Sequence, residues 1–217
     1  LYGPTLYFSD DTTTEFIIDD FEGNNPLLKY DYTDNGTGIR TDLIFDGSQA
    51  LGLPSQEFST ADGQCVSTSG AVPYPSRGDT FGGYLYQPDS TNQFRYVFAA
   101  QDSTKDPDGY NVGISGLRDF VIEVDRQGKE LARASLSDID HTDKWLEIRI
   151  DWNYDSDSDT TTITATLYDK GPDGTEDNGQ LIQIEGSESP STYEQGGIAF
   201  NADARGSAMA FDRARFF

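Results

Sequence analysis

The side chains most able to do chemistry in this chain are acids spaced along short runs. Glu123-Val124-Asp125-Arg126-Gln127 and Glu147-Ile148-Arg149-Ile150-Asp151 put polar residues at alternate positions, and alternate residues of a strand share a face. Retaining glycoside hydrolysis needs two carboxyl groups on such a face about 5 Å apart, one as nucleophile and one as proton donor. Neither run supplies them, because Gln127 closes the first and Arg149 sits in the middle of the second. The runs read as polar positions of a solvent-facing sheet, and no residue is assigned a catalytic role.

Two loops hold denser acid: Asp155, Asp157 and Asp159 in one, Asp169, Asp173, Glu176 and Asp177 in the other. A Ca²⁺ loop wants alternating carboxylates, a glycine for the sharp turn and a closing bidentate acid. Thr160 stands where the first loop needs Gly, and Gln180 where the second needs its acid, so both read as solvated loops. Cys65 and His141 are the only residues of their types and lie in no recognisable motif. A single cysteine makes no internal disulfide and reads as a buried thiol.

Aromatic rings are the stronger lead for binding. Phe94, Tyr96 and Phe98 alternate on one face of a strand, and Tyr84 and Tyr86 alternate on an expected neighbour. Rings of this kind stack on sugar faces while Asp, Asn and Arg bond the hydroxyls. A row of aromatics at every second residue is also how a sandwich core is built. Phe94 and Phe98 are expected in the core, whereas Tyr84, Tyr86 and Tyr96 carry hydroxyls that want water or a ligand and are the candidate ligand-binding residues.

The elements that would position these groups are strands. Period-two runs bounded by Gly, Asp and Asn clusters recur at 16–21, 42–45, 50–53, 83–87, 93–100, 110–114, 119–126, 144–152, 160–168, 180–185, 196–201 and 208–216. No helical periodicity appears beyond a short turn at 138–143. The expectation is an all-β, two-sheet antiparallel jelly-roll sandwich forming one domain over residues 17–217. Residues 1–16, with Leu1, Tyr2, Leu6, Tyr7 and Phe8 ahead of a Thr run, read as an N-terminal arm or linker. That arm either packs on a neighbouring protein subunit or folds back on its own sandwich.

Charge narrows the setting. The chain has 38 Asp and Glu against 15 Lys and Arg, a net charge of −23, and 12% aromatic residues. Disordered acidic chains are poor in aromatics, so the acid excess reads as a surface built for very high salt, where screening shortens to about 3 Å. Such a field repels phosphate backbones and anionic lipid, which excludes nucleic acid as a partner. No run of 18 apolar residues spans a membrane. A start at Leu1 with no leader fits a piece of an exported protein.

Three stretches together resemble one family. Residues 17–24 (IIDDFEGN) with 45–55 (FDGSQALGLPS), 99–114 (AAQDSTKDPDGYNVGI) with 143–153 (DKWLEIRIDWN), and 196–217 (GGIAFNADARGSAMAFDRARFF) are similar, in order and spacing, to the concanavalin A-like lectin/glucanase (LamG-like) domains of surface, secreted and viral proteins of extreme halophiles. The resemblance implies a jelly roll whose first and last strands are neighbours and whose curved sheet offers a concave face. It also implies a structural Ca²⁺ held by Asp20, Glu22 and Asp212. The competing reading is that Asp212 pairs with Arg213 or Arg215. The function expected is non-enzymatic glycan recognition or adhesion at an extracellular halophilic cell surface or virion. A purely structural virion or filament domain without ligand is the alternative, and a glycoside hydrolase the distant third.

Overall fold

The computed structural model describes residues 16–34, 36–53, 62–104, 106–115, 118–125, 128–203 and 209–217. Fifteen strands run through them: β1 Phe16–Asp19, β2 Tyr32–Thr33, β3 Gly38–Arg40, β4 Ala50–Leu53, β5 Asp62–Ser67, β6 Thr80–Gln87, β7 Gln93–Ala100, β8 Tyr110–Ser115, β9 Asp119–Val124, β10 Lys129–Ser135, β11 Lys144–Asp155, β12 Thr160–Asp169, β13 Gly179–Glu188, β14 Gly197–Asp203 and β15 Met209–Phe216. They form two antiparallel sheets. The eight-stranded sheet runs β13-β12-β11-β6-β15-β4-β3 with β1 on β15, and the seven-stranded sheet runs β10-β9-β8-β7-β14-β5-β2. No helix among the described residues is long and apolar enough to cross a membrane.

Alternation decides which side chains meet between the sheets. On β11, Leu146, Ile148, Ile150 and Trp152 point inward, and on β12 Ile163, Ala165 and Leu167 do so between outward threonines. With Phe211 of β15 in the same sheet, they pack against Phe94, Tyr96, Phe98, Tyr110 and Phe200 from the other side, the Phe200 and Phe211 ring centres 4.6 Å apart. Each fully buried ring or aliphatic chain contributes about 1.5–3 kcal/mol, so this inter-sheet layer holds the sandwich together.

The first and last strands are neighbours as expected: Phe16 lies opposite Phe216 and Ile17 opposite Arg215. One edge of β15 pairs first with β4, at Met209–Phe211, and then with β1. The register shifts between Asp212 and Arg215, and Arg213 adopts a left-handed conformation at φ 49. That irregularity opens a notch between β4 and β1.

Several local expectations change. Residues 42–45 form bends rather than a strand, 138–143 contain no helical turn, and a 3₁₀ turn occupies Pro26–Lys29. β2, β3, β5 and β10 are strands that the sequence pattern does not announce. The N-terminal arm, apart from Phe16, lies outside the described residues.

Tyr96 corrects the ligand-binding expectation. It sits on the inner face of β7, fully buried, while Tyr84 and Tyr86 lie on β6 in the other sheet. The inward phase that places Phe94 and Phe98 in the core takes Tyr96 with them. Its hydroxyl has no hydrogen-bond partner, and burial pushes the phenol far above its usual pKa. An unpaired buried hydroxyl costs about 1–3 kcal/mol. Tyr96→Phe is therefore expected to raise the melting temperature, and a lower melting temperature would show that the hydroxyl is satisfied.

Candidate functional site

Asp20, Glu22 and Asp212 do come together. They line one pocket of ≈ 210 Å³ in the notch beside β15, with Ile17, Asp46, Gly47 and Arg213. Their carboxylates, however, are turned to other partners. Glu22 accepts from the Ser48 N–H at 2.5 Å, the Ser48 hydroxyl at 2.6 Å and the Gln49 N–H at 2.8 Å. Burial alone would raise its pKa, but these bonds outweigh it and hold the group below its usual range. Asp212, 1% exposed, accepts the N–H groups of Phe45 at 3.0 Å and Asp46 at 3.1 Å on one oxygen and that of Arg213 at 2.7 Å on the other.

Arg213 lines the same pocket, and its guanidinium pairs with Asp46. Among the described residues no group of three acids, histidines or cysteines is arranged to hold a metal ion. The expected Ca²⁺ set is corrected accordingly: these residues do not fit the ion. Backbone N–H groups engage the Asp20, Glu22 and Asp212 carboxylates, and the guanidinium engages Asp46. The acids instead clip a loop. Gly47, left-handed at φ +79 and closely packed on Glu22, makes the turn between the two anchors.

The clipped loop covers an aromatic cluster on the outer face of the eight-stranded sheet. Phe45 stacks on Tyr84 with ring centres 3.5 Å apart and meets Trp145 edge-on at 5.5 Å. Tyr84 is 5% exposed and bonded through its hydroxyl to Arg215; Tyr86 is half-buried against Trp145. Below them Glu147, 1% exposed, faces Arg149 at 2.6 Å, Lys170 at 3.0 Å and Arg215 at 3.8 Å.

The outer face of the seven-stranded sheet carries a polar row. Pairing sets Gln64 of β5 opposite Asn201 of β14, Asn201 opposite Arg95 of β7, and Asn111 of β8 opposite Glu123 of β9. Gln64, Asn111, Glu123 and Asn201 are each under 9% exposed. Arg95 and Glu123 form an ion pair at 3.5 Å. The segment between β7 and β8 lies over part of this face. Asn201 donates to the Asp106 carboxylate at 2.8 Å, the Asp106 N–H donates to the side-chain oxygen of Gln64 at 3.1 Å, and Asn111 donates to the Gly109 carbonyl at 3.0 Å. Asp106 holds a left-handed φ of 60 to make that turn. Gln64 Nε2 and Ser115 Oγ are buried on this sheet without a hydrogen-bond partner.

Glu130 of β10 lies directly opposite Glu123. It is a second carboxylate on the same face that the search along single strands misses. Glu130 pairs with Arg133 at 2.7 Å, as Glu123 pairs with Arg95. Asp125 turns away at a left-handed residue and bonds the Gly109 N–H and the Tyr193 hydroxyl. Gln127 lies outside the described residues. Cys65 is buried in the core with its thiol pKa pushed well up by burial, and His141 is buried with Nδ1 on the Ile139 carbonyl at 2.8 Å. The two acidic loops are hairpin connections whose acids cap turns, as where Asp155 accepts the Asp157 N–H at 2.9 Å.

No protein-family model matches the chain, and no curated protein matches it in sequence. Solved structures do. The carbohydrate binding module CBM66 from Bacillus subtilis matches with a TM-score of 0.52 at 14% identity, over 86% of this chain and 94% of that one. The exoplasmic/lumenal domain of VIP36 in its Ca²⁺-bound form matches with 0.52 at 11% identity, over 87% of each chain. Its Ca²⁺/Man-bound form gives 0.50 at 11%, over 85% and 82%. The fold is the concanavalin A-like jelly-roll sandwich.

Proposed function

We propose that this domain is a glycan-recognition module without catalytic activity, and that sugar is read by the outer face of the seven-stranded sheet. The observation that carries the reading is the polar row of Gln64, Arg95, Asn111, Glu123 and Asn201 on adjacent strands. Outer faces of sandwiches are ordinarily wet or apolar. A desolvated set of amides, a guanidinium and a carboxylate supplies both donors and acceptors, which is what neighbouring sugar hydroxyls require. The segment between Ala100 and Tyr110 shapes access through Asp106 and Gly109. The likeness to a carbohydrate-binding module and to a lumenal domain solved with mannose supports the same reading. An extracellular setting, on a cell surface or virion of a halophile, accords with the charge and with a sugar-reading fold.

Glu123 and Glu130 are two carboxylates that face each other across strands on this sheet. Hydrolysis needs two carboxyl groups that can both reach the scissile bond, and here each is held by its own arginine.

The test is a glycan array in molar salt. Binding of at least one neutral or branched glycan is expected, and Asn201→Ala is expected to weaken it about tenfold with the melting temperature little changed. Binding that is untouched by Asn201→Ala and by Arg95→Gln would move the site elsewhere. β-Glucan incubated with the protein is expected to release no reducing sugar; release that disappears in Glu123→Gln or Glu130→Gln would make the domain a hydrolase.

A further inference from the structure

The outer face of the eight-stranded sheet gathers positive charge at one point. In a chain with 15 cations against 38 acids, three cations meet on one carboxylate. Glu147 projects from the outer face of β11, paired across the ladder with Tyr84 of β6 and Tyr168 of β12. Arg149, Lys170 and Arg215 surround it, and Lys170 also reaches Asp177 at 3.2 Å, whose side chain is 80% exposed. Burying Glu147 calls for paired charge and further hydrogen bonds on its oxygens, but it does not call for one of those cations, Arg149, to stay partly exposed.

Geometry shows how the cations are presented. Glu147 gives one oxygen to Arg149 and the other to Lys170, fixing both cations side by side. Arg149 keeps 37% of its side chain exposed, and its Nε has no hydrogen-bond partner. Its guanidinium carbon lies 5.0 Å from the centre of the Tyr168 ring, which is half-buried on the same face. A buried acid that orients a partly exposed arginine and a lysine beside an aromatic ring matches what recognition of an oxyanion on a sugar needs: charge-assisted donors in fixed positions and a ring for the sugar face.

We propose that this face binds an oxyanion carried by a saccharide, a uronate carboxylate or a sulfate ester, between Arg149 and Lys170 with the Tyr168 ring beside it. The proposal rests on the glycan reading for the sugar, and on the cations for the oxyanion. The net charge of −23 does not oppose it. At molar salt the long-range field is screened within about 3 Å, while partly buried cations in direct contact keep their attraction.

The probes are a tetragalacturonate, a sulfated galactose tetramer and the neutral galactose tetramer, titrated calorimetrically in molar KCl. One of the two charged tetramers is expected to bind more tightly than the neutral one, and which of them does so identifies the oxyanion. Lys170→Gln is expected to weaken that binding about tenfold and Arg149→Gln to abolish it. Asp177→Asn, a surface change that releases Lys170, is expected to strengthen it about threefold. Equal affinity for charged and neutral tetramers overturns the proposal, as does binding unaffected by Lys170→Gln and Asp177→Asn, which keep the test valid should Arg149→Gln fail to fold. Neutral-sugar binding lost in Asn201→Ala, with neither charged tetramer binding more tightly than the neutral one, would leave the first reading standing and sink this one.

Discussion

Dialysis from molar salt to about 0.1 M is expected to unfold this domain, with loss of its β-sheet circular dichroism and restoration when salt is returned. The cause is the imbalance of 38 acids against 15 bases on a chain of 217 residues. Raising the screening length from about 3 to about 10 Å makes each surface carboxylate feel several others. A domain's margin is only about 5–15 kcal/mol, and self-repulsion on this scale removes it. Lower salt also strengthens the ion pairs, but few can be added to offset the repulsion, because basic side chains are already committed: Arg133 to Asp119 and Glu130, Lys144 to Asp140 and Asp169, Lys29 to Asp19. A spectrum and melting temperature unchanged at low salt would sink the halophile argument and leave the acid excess without an energetic role.

The long strands were legible because their alternation is strong. Gln93–Ala100 and Ala50–Leu53 match the expected limits, and Lys144–Asp155 and Thr160–Asp169 are only extended at their ends. β10 was not legible. Its sequence KELARAS is rich in good helix formers, and only pairing with β9 makes it a strand; its charges suit an edge that must not attract another sheet. β2 and β3 are two and three residues long, too short for a period to register.

The site was less legible than the fold, for a definite reason. Alternation tells which residues share a face but not which face is inside. Tyr96 and Arg95 are neighbours on β7, one in the core and the other in the polar row. The hydroxyl of Tyr96 suggests a wet position, yet the inward phase of Phe94 and Phe98 decides where it goes. Glu123 and Glu130 meet across two strands, a relation that no single-strand motif contains. The convergence of Asp20, Glu22 and Asp212 follows from the adjacency of the terminal strands; what their carboxylates hold does not, since backbone N–H groups leave no mark on a sequence.

Asp212→Asn is expected to remove a pH dependence of stability between about pH 5 and 8. Burial pushes the Asp212 carboxyl up to about 7, with the charge of Asp46 adding to the rise and the N–H groups of Asp46, Phe45 and Arg213 opposing it. Its ordinary value is 3.8. Between these limits the folded protein holds a proton that the unfolded chain has released, so folding is favoured as pH falls through 7 and the gain levels off below 4. Each tenfold difference in proton affinity between the folded and unfolded chain corresponds to about 1.4 kcal/mol, and a wild-type stability that climbs by a few kcal/mol from pH 8 to pH 5 is the expected result. Asp20, Glu22, Asp46 and Arg213 share the pocket, and Glu22 is held below its usual range by its hydrogen bonds, away from this window. In Asp212→Asn the amide oxygen still accepts from Phe45 and Asp46, while the N–H of Arg213 loses its acceptor. The variant is therefore expected to be flat from pH 5 to 8 and to equal or exceed the wild type at pH 8, where burying the charge costs most. Melting temperatures in molar salt across that range decide it. A wild-type slope that persists in Asp212→Asn would assign the titration to another group and leave the clip on the Phe45–Ser48 turn as a simple anion cap.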